Sequence, residues 1–344
     1  GIGTGTISLS GRGGLVDWEV MNRPAKGFTP CKSAYAPHFA IRCETKSGGR
    51  VARLLEGPLL PEEYEGDSGC PVPNQGFPRF RRAVFRAAYP LAQVELEDAA
   101  MPVRATLEAM NPLVRGDSDA SGIPAMFIRY RVKNTTDVAL DAAVSAQIMF
   151  PGDAGVTNEQ SFCELNGYQG LQFREGRAAN HPRFGELAVL AETNGAKVSR
   201  AKDFDQDRWG VAKAHLWNRF RDFGDVTPYK SDQPTGKYVL SVMSVVKPIP
   251  AQGEETFVFA IGWRYPNMLA GCRQLLRDAV SDGCGCSRGS HREHGGLRAA
   301  DGGIRAQRDG GARRPRGCPR SGAVQPNDAQ DDNVLPYAGR KLLW

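Results

Sequence analysis

Residues 125–149 read AMFIRYRVKNTTDVALDAAVSAQIM, in which two alternating runs flank a central Asn-Thr-Thr-Asp. Every second residue from Met126 to Val132 is apolar, and so is every second residue from Val138 to Ile148. A period of two is typical of half-buried strands, and Asn, Thr and Asp favour a turn. This stretch therefore predicts two long antiparallel strands joined as a hairpin.

The same alternation extends outward over Arg79–Pro266. It predicts a second pair of strands within Val94–Ala109 and a third within Tyr238–Trp263, each with its own turn. The segment Gly152–Gly236 is richer in Gly, Asn and charge, and we expect long loops and edge strands there. Many short strands and no long helical period predict an all-β fold, a large antiparallel β-sandwich with long loops.

The chain has 344 residues, of which 41% are hydrophobic and 24% charged, with a formal net charge of +6. No apolar run reaches the ~18 residues of a transmembrane helix, which excludes a helical membrane span from the sequence. No basic and apolar leader follows Gly1, so no signal peptide can be read from this sequence, which leaves the compartment open because the chain lacks an initiator Met. We expect a location in the cytoplasm or at the periphery of a membrane.

The C-terminal segment has a different composition from the rest of the chain. Residues 269–344 hold 13 Arg or Lys, 8 Asp or Glu and four of the eight cysteines. Two domains are therefore predicted: a β-sandwich over 1–267 and a disordered Gly/Arg-rich tail over 268–344.

Two functional interpretations of that tail are weak. The basic run Arg308–Gly317 lacks aromatic residues for stacking, so no nucleic-acid partner is expected. Cys-x-Cys and His-x-x-His are not a standard zinc spacing, so no metal site is expected at the residues that form them: Cys284, Cys286, His291 and His294.

The N-terminal stretch is GIGTGTISLSGRGGLVDWEVMNRPAKG, residues Gly1–Gly27. Its glycines suggest a phosphate loop, but no strand precedes them, no Walker lysine follows, and no amphipathic helix begins. Tight turns between strands explain the glycines better, and no cofactor is expected.

Four stretches resemble glycoside hydrolase family 116, the β-glucosidases that include the non-lysosomal glucosylceramidases. They are Gly1–Gly27, Arg53–Leu59 (RLLEGPL), Phe77–Asp137 (beginning FPRFRRAVFRAAYP) and Ala260–Asn267 (AIGWRYPN). They follow the family's order along its N-terminal β-sandwich domain, so the resemblance implies the same fold as the alternation does.

By the same resemblance, the chemistry would lie in a C-terminal (α/α)6 toroid holding a Glu nucleophile and an Asp acid/base. A retaining glycosidase needs two carboxyl groups roughly 5 Å apart. No helical repeat to mount them follows Asn267, so no catalytic residue is carried over to this sequence. We expect the chain to lack the catalytic domain and to be inactive alone. Its implied partners are that toroid and, in the full-length protein, a glucoside or glucosylceramide.

Back-translation suggests why the resemblance stops. Plausible codons for Cys272–Ser281, read one nucleotide later, give VGNYYATRF, and those for Val324–Trp344 give FSPTTLRTTTCYRTRDGNFYG. Both products resemble the family's sequence, in the right order and in one shared frame. A frameshift, a mis-called intron or a sequencing error between Asn267 and Cys272 is the resulting hypothesis.

A polar and aromatic cluster follows the N-terminal glycines: Asp17, Trp18, Glu19, Asn22 and Arg23. One interpretation is that these residues wall a sugar cleft, where Trp stacks on a pyranose and the charged groups bind hydroxyls. The other is an interdomain packing and salt-bridge network. The sequence leaves both open.

Other residues have weaker claims. Glu56, Asp67 and Asp119 are expected to be loop caps and solvated charges. Asn134-Thr135-Thr136 matches a glycosylation sequon on a predicted surface turn. The competing function class is a non-catalytic module that binds carbohydrate or a lipid headgroup and carries a basic tail. A peripheral membrane contact stays open with it.

Overall fold

A computed structural model describes residues 3–22, 25–30, 36–61, 74–110, 113–152, 156–204, 211–227 and 240–267. The tail predicted over 268–344 lies outside these residues. The described chain forms fifteen strands and two helices. In chain order they are β1 (Thr6–Leu9), β2 (Leu15–Glu19), β3 (His38–Thr45), β4 (Arg50–Leu54), β5 (Arg82–Ala88), β6 (Leu91–Glu97), β7 (Val103–Met110), α1 (Ser118–Ser121), β8 (Ala125–Asn134), β9 (Leu140–Met149), β10 (Glu159–Leu165), β11 (Tyr168–Arg174), β12 (Glu186–Glu192), β13 (Lys197–Phe204), α2 (Val211–Phe223), β14 (Leu240–Ile249) and β15 (Glu254–Arg264).

The strands form two large sheets and one small one. The eight-stranded sheet has the order β10-β11-β12-β15-β8-β7-β6-β5, and the five-stranded sheet has the order β13-β14-β9-β3-β4. Strands β1 and β2 pair separately, and all pairs of neighbours are antiparallel. The predicted all-β, antiparallel sandwich is confirmed.

Two of the three predicted hairpins are wrong in their pairing. Strand β8 pairs with β7 and β15, while β9 pairs with β3 and β14, so the two do not lie side by side. Strands β14 and β15 also belong to different sheets. The β8–β9 and β14–β15 connections therefore each cross from one sheet to the other, and we call them corners. In each case both strands turn their apolar faces towards the core that the two sheets share. Only β6 and β7 form the hairpin that the alternation predicted.

The two corners meet at Asn134, which is fully buried. Its Nδ2 donates to the carbonyl oxygens of Val138 at 2.8 Å and Pro250 at 2.9 Å. Its Oδ1 accepts from the amide and the hydroxyl of Thr136. The predicted sequon is therefore not on the surface, because its asparagine side chain is enclosed and fully engaged.

The core lies between the inner faces of the two large sheets. Phe39 of β3 contacts Tyr130 of β8 and Phe259 of β15, with ring centroids 5.3 and 5.2 Å apart. All three side chains are at most 2% exposed. Burying an aromatic side chain of this size contributes roughly 1.5–3 kcal/mol, so these inter-sheet contacts hold the sandwich together.

The outer face of the five-stranded sheet is covered by α2. Leu216 and Phe220, one turn apart, pack on the sheet's small outward residues such as Ala143. The Arg42 guanidinium closes the helix by donating to the carbonyl oxygens of Arg221 at 2.8 Å and Asp222 at 2.9 Å. Basic groups at a helix C-terminus satisfy its last carbonyls and complement its dipole.

The prediction for Gly152–Gly236 therefore needs correction. In its described part the segment contains the helix α2 and four strands. Strands β10 and β13 lie at sheet edges, as predicted, whereas β11 and β12 are internal to the eight-stranded sheet. Alternation is clear in β12, where Leu187, Val189 and Ala191 are buried. In the described part, many of the Gly, Asn and charged residues lie in connections between these elements, such as residues 175–185 between β11 and β12.

Candidate functional site

The N-terminal glycines make close turns against neighbouring backbone. Gly5 has φ +98°, and a Cβ there would lie 2.7 Å from the Glu19 carbonyl oxygen. Gly13 has φ +102°, and a Cβ there would lie 2.9 Å from the Leu55 carbonyl oxygen. Only glycine fits both the backbone angle and the space, which accounts for the glycine pattern in terms of packing.

Strand β2 delivers the predicted cluster through a bulge. Thr6 pairs with Glu19 and Ser8 with Val16, so β2 has one residue more than β1 across this interval. Asp17 takes φ 49°, a left-handed conformation. The bulge turns Trp18 into the sandwich core, where it is fully buried. The Trp18 ring thus presents no face for stacking on a sugar at the surface of this domain.

The two carboxylates of the cluster close the loop that follows β2. Asp17 Oδ1 accepts from the Gly27 amide at 2.7 Å, and Glu19 Oε1 accepts from the Ala25 amide at 2.9 Å. Glu19 Oε2 lies 2.8 Å from Lys26 Nζ. The hydrogen bonds from Lys26 and then Ala25 lower the pKa of Glu19. Both carboxylates therefore shape the 17–28 loop.

Asn22 ties this loop to the last residues of the described domain. Its Nδ2 donates to the carbonyl oxygens of Tyr265 and, at 2.8 Å, Asn267. Asn267 in turn donates to the carbonyls of Ala179 at 2.7 Å and His181 at 2.9 Å. We call these five residues the Asn267 cluster.

A further tie lies beside the Asn267 cluster, where Trp263 Nε1 donates to the Thr4 carbonyl at 2.7 Å. The first residues of the domain are thus bonded to its last strand. Arg23, the fifth predicted site residue, lies outside the described residues.

The structure places the three weaker candidates, Glu56, Asp67 and Asp119, in different settings. Glu56 is not solvated as expected: it is 6% exposed and lies 3.1 Å from Arg79 and 3.8 Å from Arg12. Asp119 lies in the first turn of the short helix α1, and Asp67 is outside the described residues. The position of Glu56 directly after the apolar Leu54-Leu55 was the signal for its burial.

The outward side chains of the eight-stranded sheet form rows that the sequence reading did not identify. Strand pairing aligns Ala88, Leu91, Met110 and Phe127 in one row across β5 to β8, which we call the apolar row. The next row, which we call the polar row, holds Arg86, Gln93, Glu108 and Arg129. Both rows line an open pocket of about 620 Å³, the outer-face pocket.

The described residues also limit the chemistry. They include no group of three or more His, Cys, Asp and Glu residues placed to hold a metal ion. None of the helices in the described ranges is long and apolar enough to cross a bilayer.

Five carboxyl groups in the described ranges have a pKa below the ordinary value. A glycosidase acid needs a raised pKa, so that it holds a proton for the leaving oxygen. The pKa is lowered, not raised, for Glu19, Glu44, Asp98, Asp222 and Asp225, so none of these five carboxyl groups has the property that an acid catalyst needs. Burial alone would raise the pKa of Asp98, but the Ala100 amide and the Arg53 guanidinium hold it low.

Comparisons with known proteins bear on the whole described domain. Residues 1–275 match the family described as beta-glucosidase 2, glycosyl-hydrolase family 116 N-term. No curated protein matches the chain significantly.

Two solved structures share weak similarity. One is described as a kojibiose phosphorylase from the human microbiome, with 10% identity, a TM-score of 0.27, and coverage of 65% of this chain and 21% of that one. The other is a TPR-domain-containing protein from Parabacteroides distasonis, with 9% identity, a TM-score of 0.29, and coverage of 77% and 44%. The chain thus spans less than half of either protein, and such scores carry no weight beside the family match. That match covers most of the chain, which therefore belongs to glycosyl-hydrolase family 116 and carries its N-terminal domain.

Proposed function

We propose that residues 1–267 are the non-catalytic sandwich of a β-glucosidase, built to dock a catalytic domain at the Asn267 cluster. The observation that carries the proposal is the family match over residues 1–275, read together with the bonds that gather the 17–28 loop around Asn267. A domain joined after residue 267 would meet this loop first. Glu19 and Lys26 would then lie at the interface or at the rim of a sugar cleft.

The parent enzyme would cleave β-glucosidic bonds with retention, acting on glycosides or on glucosylceramide. This assignment rests on the family resemblance alone. A location in the cytoplasm or at the periphery of a membrane goes with it. Fractionation of cells that express the native gene tests the location, and recovery of the protein in a secreted fraction would contradict it.

The 344-residue chain itself should not hydrolyse glucosides. The lowered pKa values of Glu19 and Asp98 leave these two carboxylates without a proton to donate near neutral pH. In addition, Asp17, Glu19 and Glu56 are committed to bonds that shape the domain. The purified chain with 4-nitrophenyl β-D-glucoside should release glucose no faster than the blank, with a known β-glucosidase as the positive control. Release above the blank would contradict the proposal.

The hypothesis that residues 268–344 are out of frame has its own test. Genomic DNA and cDNA would be sequenced across the codons for residues 260–280. A one-nucleotide correction between Asn267 and Cys272 that opens the family's frame supports the hypothesis. An uninterrupted frame in both overturns it.

The docking role is then tested in the frame-corrected protein. Glu19→Gln removes the charge that holds Lys26, and Val138→Ser changes an exposed residue at the corner between β8 and β9. We expect the first substitution to lower the rate of glucoside hydrolysis and the second to leave it unchanged. Equal rates in the two variants would show that the 17–28 loop lies neither at the interface nor at the cleft.

A further inference from the structure

The outer-face pocket has an apolar side that the fold does not require. In the apolar row, Leu91 is 56% exposed, Met110 45% and Phe127 47%. These side chains point away from the core, so their exposure to water brings the domain no stability. The row crosses four neighbouring strands without a charged residue. An open pocket that combines an apolar side with convergent polar groups is a candidate small-molecule site.

The charged residues of the polar row beside it already form ion pairs with oppositely charged neighbours. Arg86 lies 3.1 Å from Glu95, and Glu108 lies 2.5 Å from Arg129 and 2.7 Å from Arg131. An added anion or cation would have to compete with these ion pairs. The row therefore suits a polar group that carries no net charge.

Hydrogen-bonding capacity nevertheless remains in the polar row. In the described part of the chain, the Gln93 amide has no protein partner, and it offers both donors and an acceptor. Each guanidinium has five N–H donors, of which its glutamate partner engages two at most. Donors and acceptors side by side match the hydroxyl groups of a sugar, which both donate and accept.

Sheet geometry sets the size of the ligand. Neighbouring strands lie about 4.8 Å apart, so a row across four strands is about 14 Å long. Outward residues two apart on one strand are separated by about 6.7 Å, which is then the distance between the two rows. An extended alkyl chain fits along the apolar row, and one sugar ring fits over the neighbouring polar row. The volume of about 620 Å³ lies in the usual range for small-molecule sites.

We propose that the outer-face pocket binds an amphiphilic glycoside, with its apolar aglycone on the apolar row and its uncharged sugar on the polar row. The site is non-catalytic and separate from the Asn267 cluster. That the sugar is glucose rests on the proposed function. The strand register fixes the apolar row and the polar row side by side. The site therefore selects the aglycone and the sugar of one molecule together.

A ligand series tests the two halves separately by isothermal titration of the 344-residue chain, with each ligand below its micelle-forming concentration. Butyl, hexyl and octyl β-D-glucoside should bind with affinity rising roughly fourfold per added CH₂. Glucose, tetraethylene glycol monooctyl ether and octyl sulfate should each bind at least tenfold more weakly than octyl glucoside. If affinity does not rise from butyl to octyl glucoside, the apolar row is not part of the site. Equal binding of the ether or the sulfate overturns selection for an uncharged sugar.

Exposed substitutions locate the site without disturbing the core. Phe127→Ser in the apolar row and Gln93→Ala in the polar row should each weaken octyl glucoside binding at least fivefold. The matched control is Val138→Ser, since Val138 is 53% exposed and lies outside the pocket. Thermal unfolding of all three variants confirms that they fold. Unchanged affinity in folded Phe127→Ser overturns the proposal.

Two further readouts separate this inference from its alternatives. If the free chain sediments as a dimer that Phe127→Ser converts to a monomer, the face is an interface between copies and the proposal is overturned. Glucose release is measured on the same samples. If the chain releases glucose and shows no binding at the outer face, both the proposed site and the proposed inactivity of the chain are wrong. Binding without hydrolysis supports both proposals.

Discussion

Replacing Asn134 by alanine should detach the two corners of the sandwich from each other. The side chain is fully buried and makes four hydrogen bonds of 2.8 to 2.9 Å. Its donors hold Val138 in one corner and Pro250 in the other. Loss of Asn134 thus removes bonds on which the relative placement of both connections depends.

The expected cost follows from those partners. A net contribution of about 1 kcal/mol per buried hydrogen bond gives about 4 kcal/mol for the four. Two partners find another bond in the variant: the Pro250 carbonyl still accepts from the Gly253 amide at 2.9 Å, and the Thr136 hydroxyl, released from Oδ1, is free to donate its one proton to the Val138 carbonyl 3.1 Å away. The partly buried Thr136 amide loses its bond to Oδ1. We therefore expect a loss of about 3–4 kcal/mol in the free energy of unfolding.

Urea unfolding at pH 7, followed by tryptophan fluorescence and by circular dichroism, measures this loss. Thr136→Val is the graded control, because it removes the hydroxyl bond to Oδ1 and should cost only about 1 kcal/mol. Asn134→Asp should be worse than alanine, since it turns a buried donor into an anion beside carbonyl oxygens. An Asn134→Ala variant within 1 kcal/mol of wild type at an unchanged m-value would refute the reasoning.

Three further results are expected. Gly5→Ala should lower the unfolding midpoint more than Gly27→Ala, because a Cβ at Gly5 meets a backbone oxygen at 2.7 Å whereas nothing lies within 4 Å of one at Gly27; equal shifts would contradict the packing account. The pKa of Asp98 lies below its ordinary value of 3.8 in the folded domain, so its contribution is complete above pH 3.8 and is lost as the pH falls through the lower folded value. The stability difference between wild type and Asp98→Asn, measured by urea unfolding, should therefore shrink below pH 4, and a constant difference down to pH 2 would sink the assignment. Burial raises the pKa of the Cys43 thiol to about 12, so iodoacetamide at pH 8 should label Cys43 only after unfolding, as read by peptide mass spectrometry.

The fold class was predictable from the sequence because alternation reports directly which residues face a core. Alternation does not report which strands pair. The run from Met126 to Ile148 fits a hairpin and a corner between sheets equally well, since the apolar faces are the same in both. The pairing involves partner strands that are distant in sequence, and Asn134 reflects this, because its side chain bonds to a corner more than a hundred residues away. Such a contact leaves no local pattern.

The candidate site was predictable only in part, for a related reason. Glu19 and Asn22 do lie in one loop, as their proximity in the sequence suggests. Trp18 lies in the core because a left-handed residue at position 17 shifts the alternation of β2 by one. Aspartate tolerates that conformation, but nothing in the sequence requires it there. The helix α2 was missed because, among residues 214–223, where burial is described, the buried side chains are Leu216 and Phe220 and give little helical pattern.

The outward face of the eight-stranded sheet carries charged rows at one end and an apolar row at the other, and the apolar row contributes nothing to the stability of the fold. Towards the far end of β5 and β6, the rows consist of ion pairs such as Arg82 with Glu97 at 2.9 Å, which keep the face hydrated and discourage edge-to-edge pairing. If the whole face served only solubility, the same charges would continue to the other end. They stop at the polar row, and Leu91, Met110 and Phe127 follow. Because these side chains lie outside the core, substituting them should leave the fold intact, and the proposed glycoside binding would account for their position on this face.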